Sequence, residues 1–240
     1  MSIKKDAKKS NKLFEEKFNK ELGLKKQIYP EKKPSFQPKK IWDKFWFIIW
    51  KDDSLKGWIL SIIFIFILIK FVFFPGLSLI TGTSLPLAIV ESCSMYHEGN
   101  LFSDSDAWYE RHEEKYGDFE INQENFSKFP FQDGFNKGDI LFIVGTKSSN
   151  LEVGDVIVFS ANSRNPVIHR IINIEEGEDG RIISTIGDNN GVQLSSEKKI
   201  SEDKILGRAV LKIAPYFGWV KLIFFEPLRH ISERGLCYEN

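Results

Sequence analysis

The sequence contains too little cysteine to form a disulfide scaffold or a zinc domain. Cys93 and Cys237 are the only cysteines in 240 residues, and no Cys-x-x-Cys pair is present. The sequence alone leaves a bridge between them open, but the favoured interpretation is two unpaired thiols. Cysteine content therefore does not decide between an oxidising and a reducing compartment.

The chain also lacks net charge, because 33 basic and 33 acidic residues cancel. The charge is unevenly distributed: residues 1–40 are rich in lysine, and the balancing acidic residues lie mostly after residue 76. A lysine-rich tail can bind nucleic acid. Here a long apolar segment follows the tail, which favours a solvated tail beside a membrane, and no nucleic-acid partner is expected.

Apolar residues are concentrated in one segment that is long enough to cross a bilayer. Residues 57–76 are almost wholly apolar, and a bilayer core of about 30 Å requires about 20 residues of helix. No small-residue cleavage site follows Phe74, so a cleavable signal peptide is not expected. Pro75-Gly76 is expected to end the helix. The lysine excess before the segment predicts a single-pass protein of the cell membrane with a cytoplasmic N terminus.

The composition around this segment divides the chain into four parts. Residues 1–40 are predicted to form a cytoplasmic tail and linker, and residues 41–56 an aromatic segment at the membrane interface. Residues 57–76 form the anchor, and residues 77–240 the extracytoplasmic domain. Within that domain, residues 97–137 are an acidic, aromatic-rich insertion that is expected to be partly helical and to pack over one end of the domain.

The pattern after the anchor predicts a mainly β fold built on an antiparallel β-sheet. Short apolar runs alternate with turns rich in Gly, Asn and Asp, as in antiparallel sheets. The predicted strands cover residues 85–90, 139–145, 156–159, 167–174, 181–186 and 205–213.

A serine, a histidine and an aspartate lie in that order at the edges of these strands. A serine hydroxyl is a poor nucleophile unless a neighbouring base takes its proton, and a third group must orient the base. His169 lies in a predicted hairpin, so it is the preferred base for Ser94. Asp188 directly follows the strand at residues 181–186 and is the preferred acid, with Asp203 as the alternative.

These residues give the chain its resemblance to type I signal peptidases of the archaeal and endoplasmic-reticulum branch. Residues 92–95 match the family's Ser-x-Ser-Met motif, which implies that Ser94 is the nucleophile. The Gly-Asp, His-Arg, Gly-Asp-Asn and closing-strand motifs are matched by residues 154–156, 169–170, 187–190 and 205–209. Bacterial relatives have a lysine where His169 lies.

The chain departs from the family pattern at two places. Most relatives have a proline two residues after the motif's methionine, where this chain has His97. Many relatives also have an aspartate about six residues after the Gly-Asp-Asn aspartate, where this chain has Leu194. Asp188 is therefore the best remaining acid.

The resemblance implies a serine endopeptidase that removes signal peptides from preproteins at the outer face of the membrane. The Ser92 hydroxyl and the Ser94 backbone N–H are expected to form an oxyanion hole. The substrate is expected to add a strand along residues 85–90, where Ile89 and Val90 contact it. The expected partners are preproteins, the lipid bilayer and, as a further candidate, the translocation machinery. Neither a metal nor another cofactor is expected.

Two alternatives remain open. One is a self-cleaving protease of the kind fused to transcription repressors, although such proteases use a lysine and normally lack an anchor. The other is a catalytically inactive anchored β domain that only binds a partner, which the motif serine alone does not exclude.

Overall fold

The computed structural model describes residues 40–98, 105–161, 165–177 and 180–238. The predicted tail lies outside this part of the chain, apart from Lys40. The chain divides into two compact units, Met1–Ile63 and Phe64–Asn240.

The first unit contains helix α1 (Ile41–Trp50) and the beginning of α2 (Leu55–Leu68). The Ser61 hydroxyl donates a hydrogen bond to the carbonyl of Ile49, which fixes the end of α1 against α2. Helix α1 carries five exposed large apolar side chains: Ile41, Trp42, Phe45, Trp46 and Trp50. Apolar surface of this kind is typical of a segment that contacts something other than water.

One long helical segment includes α2, a π-helix (Ile69–Phe73) and α3 (Phe74–Thr81). It covers Leu55–Thr81, 27 residues whose most apolar 18-residue window has a mean hydropathy of 2.6, and is the one candidate membrane span in the part of the chain described. The prediction that Pro75-Gly76 ends this helix is wrong. Proline lacks an N–H and clashes with the preceding turn, but the π-helix before Pro75 widens that turn. The helix ends instead at Gly82, which adopts a left-handed conformation with φ of 68°.

The second unit is organised around a six-stranded antiparallel sheet, with strand order β1-β2-β6-β3-β4-β5. The strands are β1 (Leu87–Ile89), β2 (Ile140–Val144), β3 (Val156–Phe159), β4 (Val167–Gly177), β5 (Gly180–Ile186) and β6 (Ile205–Ala214). The predicted mainly β, antiparallel fold is confirmed.

Strand β3 separates two layers of the core. All four of its residues are buried, and successive side chains of a strand point to opposite faces. Val156 and Val158 pack into one apolar cluster with Met95. Ile157 and Phe159 pack into another, which contains residues of β4 and β5. A continuous apolar run therefore marks a central strand that is covered on both faces.

The insertion contributes a third, aromatic cluster. It contains α4 (Ser105–Gly117) and α5 (Gln123–Phe126), so its predicted helical character is confirmed. Trp108, Tyr116 and Phe126 are buried and pack against Ile172 of β4 and Ile186 of β5. The insertion thus covers the end of the sheet formed by β4 and β5.

The C-terminal segment returns to the loop that follows β1. Cys93 and Cys237 form a disulfide with a Cα–Cα distance of 5.3 Å, so the expectation of two unpaired thiols is wrong. The two cysteines are 144 residues apart in sequence. Because only the tertiary path of the last residues brings them together, no local pattern predicts the pairing.

Candidate active site

Ser94 lies in the loop between β1 and the insertion, and this loop is held from two sides. The Ser94 carbonyl accepts a hydrogen bond of 2.8 Å from the Asn189 N–H, and the Met95 carbonyl accepts one of 2.7 Å from the Phe135 N–H. A Cβ on Gly187 would lie only 2.7 Å from the Ser94 carbonyl oxygen. The first glycine of the Gly-Asp-Asn box therefore permits the close approach of the two loops.

His169 is positioned by the centre of the sheet. It lies on β4 opposite Ile157 of β3, and its side chain is almost fully buried. Its Nε2 atom lies 2.8 Å from the Ser94 hydroxyl oxygen. The structure thus brings together the predicted nucleophile and the predicted base at a distance suited to direct proton transfer.

Glu197 contacts the other ring nitrogen of His169. Its carboxylate accepts a hydrogen bond from Nδ1, which assigns the proton to Nδ1 and leaves Nε2 as an acceptor for the Ser94 hydroxyl. The Glu197 side chain is fully buried. Its second oxygen accepts a bond of 2.7 Å from the Leu194 N–H. Ser94, His169 and Glu197 therefore form a hydrogen-bonded series of a hydroxyl, an imidazole and a carboxylate.

Asp188 is not the residue that contacts His169, which corrects the predicted geometry. Its carboxylate accepts bonds from Arg170 Nη2 at 2.7 Å, His97 Nε2 at 3.0 Å and the Tyr116 hydroxyl at 2.9 Å. The physical reason is strand alternation. His169 and Arg170 are neighbours on β4, so their side chains point to opposite faces of the sheet. Asp188 lies on the Arg170 face.

The Asp188 cluster is a buried ion pair linked to the insertion. Burial raises the pKa of the Asp188 carboxyl, but the Arg170 charge and the His97 hydrogen bond outweigh it and hold the pKa well below its usual range. Burial, followed by the charge of Asp188, raises the pKa of Tyr116 well above its usual value, so its hydroxyl remains a donor. Asp188 is therefore ionised and fully engaged by its neighbours.

Sequence reasoning missed Glu197, although a signal was present. The family's additional aspartate corresponds to Leu194, and Glu197 follows three residues later, at the end of a 3₁₀-helix (Ser195–Glu197). That helix makes one turn in three residues. The longer glutamate side chain, one turn further along, reaches the site. The signal in the sequence is thus an acidic residue within one helical turn of Leu194.

The remaining predicted site residues lie near the nucleophile or in the neighbouring edge strand. The Ser92 hydroxyl is exposed and lies 3.1 Å from the Ser94 hydroxyl. Strand β1 is an edge strand of the described sheet, and Ile89, at its end, is half-buried. Val90 is buried in the core instead. Asp203 is exposed in a separate 3₁₀-helix (Glu202–Lys204).

No group of three or more His, Cys, Asp or Glu residues that could hold a metal ion occurs among the described residues. His112, which lies in a His-Glu-Glu run, stacks on Trp108 with a ring separation of 4.0 Å. Its Nδ1 lies 2.8 Å from the Trp108 carbonyl oxygen. His112 is therefore part of the aromatic packing of the insertion.

Comparison with known proteins supports the predicted resemblance. The signal peptidase complex catalytic subunit SEC11C of Homo sapiens is 31% identical over 96 residues, which cover 37% of this chain and 50% of that protein. The chain is similar to signal peptidase catalytic subunits. Subunit SEC11 of Scheffersomyces stipitis is 30% identical over 98 residues, covering 38% and 58% of the two chains. Subunit sec11 of Dictyostelium discoideum is 33% identical over 99 residues, covering 38% and 54%.

The chain spans between 50% and 58% of the length of these curated relatives. No protein-family model matches the chain. The relatives are catalytic subunits of signal peptidase, and this confirms the resemblance that the sequence motifs predict.

Proposed function

We propose that this protein is a membrane-anchored serine endopeptidase that removes signal peptides from exported preproteins. The observation that carries the proposal is the hydrogen-bonded series from Ser94 through His169 to Glu197. A serine, a general base and an orienting acid in contact are the parts that acyl transfer to a serine requires. The similarity to signal peptidase catalytic subunits supports the choice of substrate.

In the proposed reaction, the Ser94 oxygen attacks the carbonyl carbon of the scissile peptide bond. His169 Nε2 takes the hydroxyl proton and then donates it to the leaving amine, whose departure leaves an acyl-enzyme. A water molecule, deprotonated by the same Nε2, attacks the acyl group and restores the Ser94 hydroxyl. No metal or other cofactor takes part in these steps.

Glu197 is proposed to orient His169 and to stabilise its charged form. The carboxylate is held by the Leu194 N–H and lies 3.4 Å from the Thr185 hydroxyl, so it has little freedom to leave the imidazole. A fixed negative charge at Nδ1 favours the imidazolium that forms when Ser94 loses its proton. Asp188, by contrast, is proposed to support the site through Arg170 and through the Gly-Asp-Asn loop in which it lies.

Ser92 and β1 are proposed to bind the substrate. The Ser92 hydroxyl is close enough to Ser94 to donate a hydrogen bond to the developing oxyanion, together with the Ser94 N–H. An extended peptide can add to the free edge of β1 through backbone hydrogen bonds. Ile89 lies at the end of that edge and is proposed to contact the peptide. Val90 is buried in the core and is proposed to support the edge from beneath.

We also propose that residues 1–40 are cytoplasmic, that the apolar helix crosses the cell membrane once and that the catalytic domain lies outside the cytoplasm. The lysine excess before the helix supports this orientation. The Cys93–Cys237 disulfide supports it independently, because such bonds persist mainly in oxidising compartments. The exposed aromatic residues of α1 are suited to the headgroup region at the start of the span.

The proposal is tested by Ser94→Ala, assayed in membranes with a preprotein substrate. The variant should fold and remain membrane-bound but lose all processing, because the attacking oxygen is removed. Protease added outside intact cells should digest residues 105–137 and spare residues 1–40. Cleavage that persists without Ser94 would refute the mechanism, and the reverse protection pattern would refute the orientation.

A further inference from the structure

The loop that carries Ser94 is attached to the C-terminal segment immediately before the nucleophile. Cys93 directly precedes Ser94 and is bridged to Cys237 near the end of the described chain. The Asn189 side-chain amide donates one bond of 3.0 Å to the Cys93 carbonyl and another of 3.0 Å to the Tyr238 carbonyl. A covalent bond and a shared amide thus join the same two segments.

The C-terminal segment is itself anchored to the body of the domain. Lys137 is 1% exposed and donates a bond of 2.7 Å to the Glu233 carbonyl, and it forms an ion pair of 2.7 Å with Glu226. The Gly235 N–H donates a bond of 2.8 Å to the Glu226 carboxylate. The segment can therefore transmit the rigidity of the domain to the loop.

Few apolar contacts hold residues 236–238 in place. Leu236 is 70% exposed and Tyr238 is 63% exposed. Exposed segments with little buried apolar surface open locally at low free-energy cost. The disulfide and the Asn189 amide are therefore the main interactions that keep this part of the segment against the nucleophile loop.

We propose that Cys93, Cys237 and Asn189 are positioning residues that hold Ser94 at reacting distance from His169. This inference rests on the proposed proteolytic function and adds to it a covalent determinant of active-site geometry. His169 is fixed by the sheet and Glu197 by its own turn, so Ser94 is the member of the series whose position depends on a loop. The bridge restricts that loop next to the reacting atom.

Loss of the bridge should slow the chemical step more than substrate binding. Strand β1 is paired with β2, and Glu91 just after it is held by ion pairs to Lys221 and Arg229 that do not involve the bridge, so the proposed binding edge remains. A small displacement of a reacting group can lower a rate by about 100-fold. We expect kcat to fall about tenfold or more, with KM changed by less than about twofold.

The test uses the full-length protein in membranes or detergent and compares wild type, Cys237→Ala and the double variant Cys93→Ala/Cys237→Ala. Leu236→Ala is the matched control, because it changes an exposed neighbour and keeps the bridge. Turnover of a preprotein gives kcat and KM, and amide hydrogen exchange reports on residues 92–96 directly. Reductant should reproduce the effect in wild type and leave the double variant unchanged, since the chain has no other cysteines.

Lower kcat and faster exchange of residues 92–96 in both cysteine variants, with Leu236→Ala like wild type, would support the inference. Wild-type kcat in the double variant would overturn it and leave the proposed function intact. If wild type itself cleaved no preprotein, the proposed function would fail. Hydrogen exchange would then still show whether the bridge restrains the loop. Unchanged exchange of residues 92–96 in the double variant would refute the inference that it does.

Discussion

Replacement of Glu197 by glutamine is the substitution that separates the two carboxylates near the site. It keeps the shape of the side chain but removes the charge that faces His169 Nδ1. Glutamine can also offer its NH₂ group to the ring, which favours the tautomer with a protonated Nε2 that cannot accept the Ser94 proton. Comparable replacements in serine protease triads cost about four orders of magnitude in kcat. That loss corresponds to about 5 kcal/mol of transition-state stabilisation.

The contrasting variant is Asp188→Asn, which breaks a buried ion pair instead. Asp188 and Arg170 are both fully buried, and removal of one partner from such a pair costs about 3–5 kcal/mol of folding stability. The melting temperature of the Asp188→Asn protein should therefore fall by roughly 6–20 °C. Glu197→Gln should leave the fold largely intact and act on turnover.

Single-turnover cleavage of a preprotein, normalised to the amount of folded protein, measures the difference. Glu197→Asp should show an intermediate rate, because the charge is kept but the shorter side chain draws back from Nδ1. Asp203→Asn is the control, since Asp203 is exposed, and its rate should match wild type. Near-normal turnover in Glu197→Gln, together with a folded but inactive Asp188→Asn protein, would refute the assignment of the acid to Glu197.

Three further predictions concern neighbouring groups. Ser92→Ala should lower kcat without abolishing it, because it removes at most about 3–4 kcal/mol of transition-state stabilisation. An inactive Ser92→Ala protein together with an active Ser94→Ala protein would reverse the nucleophile assignment. His169→Lys should retain little activity across a pH–rate profile. A lysine base must be in its neutral form to accept a proton, and the Glu197 carboxylate favours the charged form. Wild-type turnover in this variant would contradict the prediction. Burial lowers the pKa of His97, outweighing the Asp188 hydrogen bond that raises it. The unfolded chain then binds more protons than the folded chain below about pH 6.5, so the free energy of unfolding should decrease as the pH falls through that value. Thermal melts between about pH 7.5 and 5.5 should show a steeper fall of the melting temperature with pH in wild type than in His97→Gln. Equal slopes of melting temperature against pH would exclude His97 as the cause.

The sequence predicts the sheet and the proximity of Ser94 to His169 well because both depend on local patterns. The alternation of apolar runs and turns marks every strand, and β3 is predicted with the bounds it has in the structure. Ser94 and His169 lie at a loop and a strand that the motifs identify directly. Their contact then follows from the order of strands in the sheet.

The Glu197–His169 contact and the disulfide depend on tertiary placement, which local patterns do not contain. Asp188 follows β5 beside β4, so adjacency in sequence predicts contact with His169. That contact does not form, because Asp188 lies on the face of the sheet to which Arg170, and not His169, points. The pairing of Cys93 with Cys237 requires the path of the whole C-terminal segment.

The Arg170 guanidinium has a consequence for how this protein can be shortened. Besides Asp188, it donates bonds to the carbonyls of Pro130, Phe131 and Gly154. The Arg170 side chain thus links three segments by hydrogen bonds: the insertion, the turn before β3 and the Gly-Asp-Asn loop. Excision of residues 97–137 would remove two of these carbonyls, together with the His97 and Tyr116 groups that donate to Asp188, and would leave the buried ion pair with fewer partners. The insertion is therefore expected to be needed for the domain to fold stably.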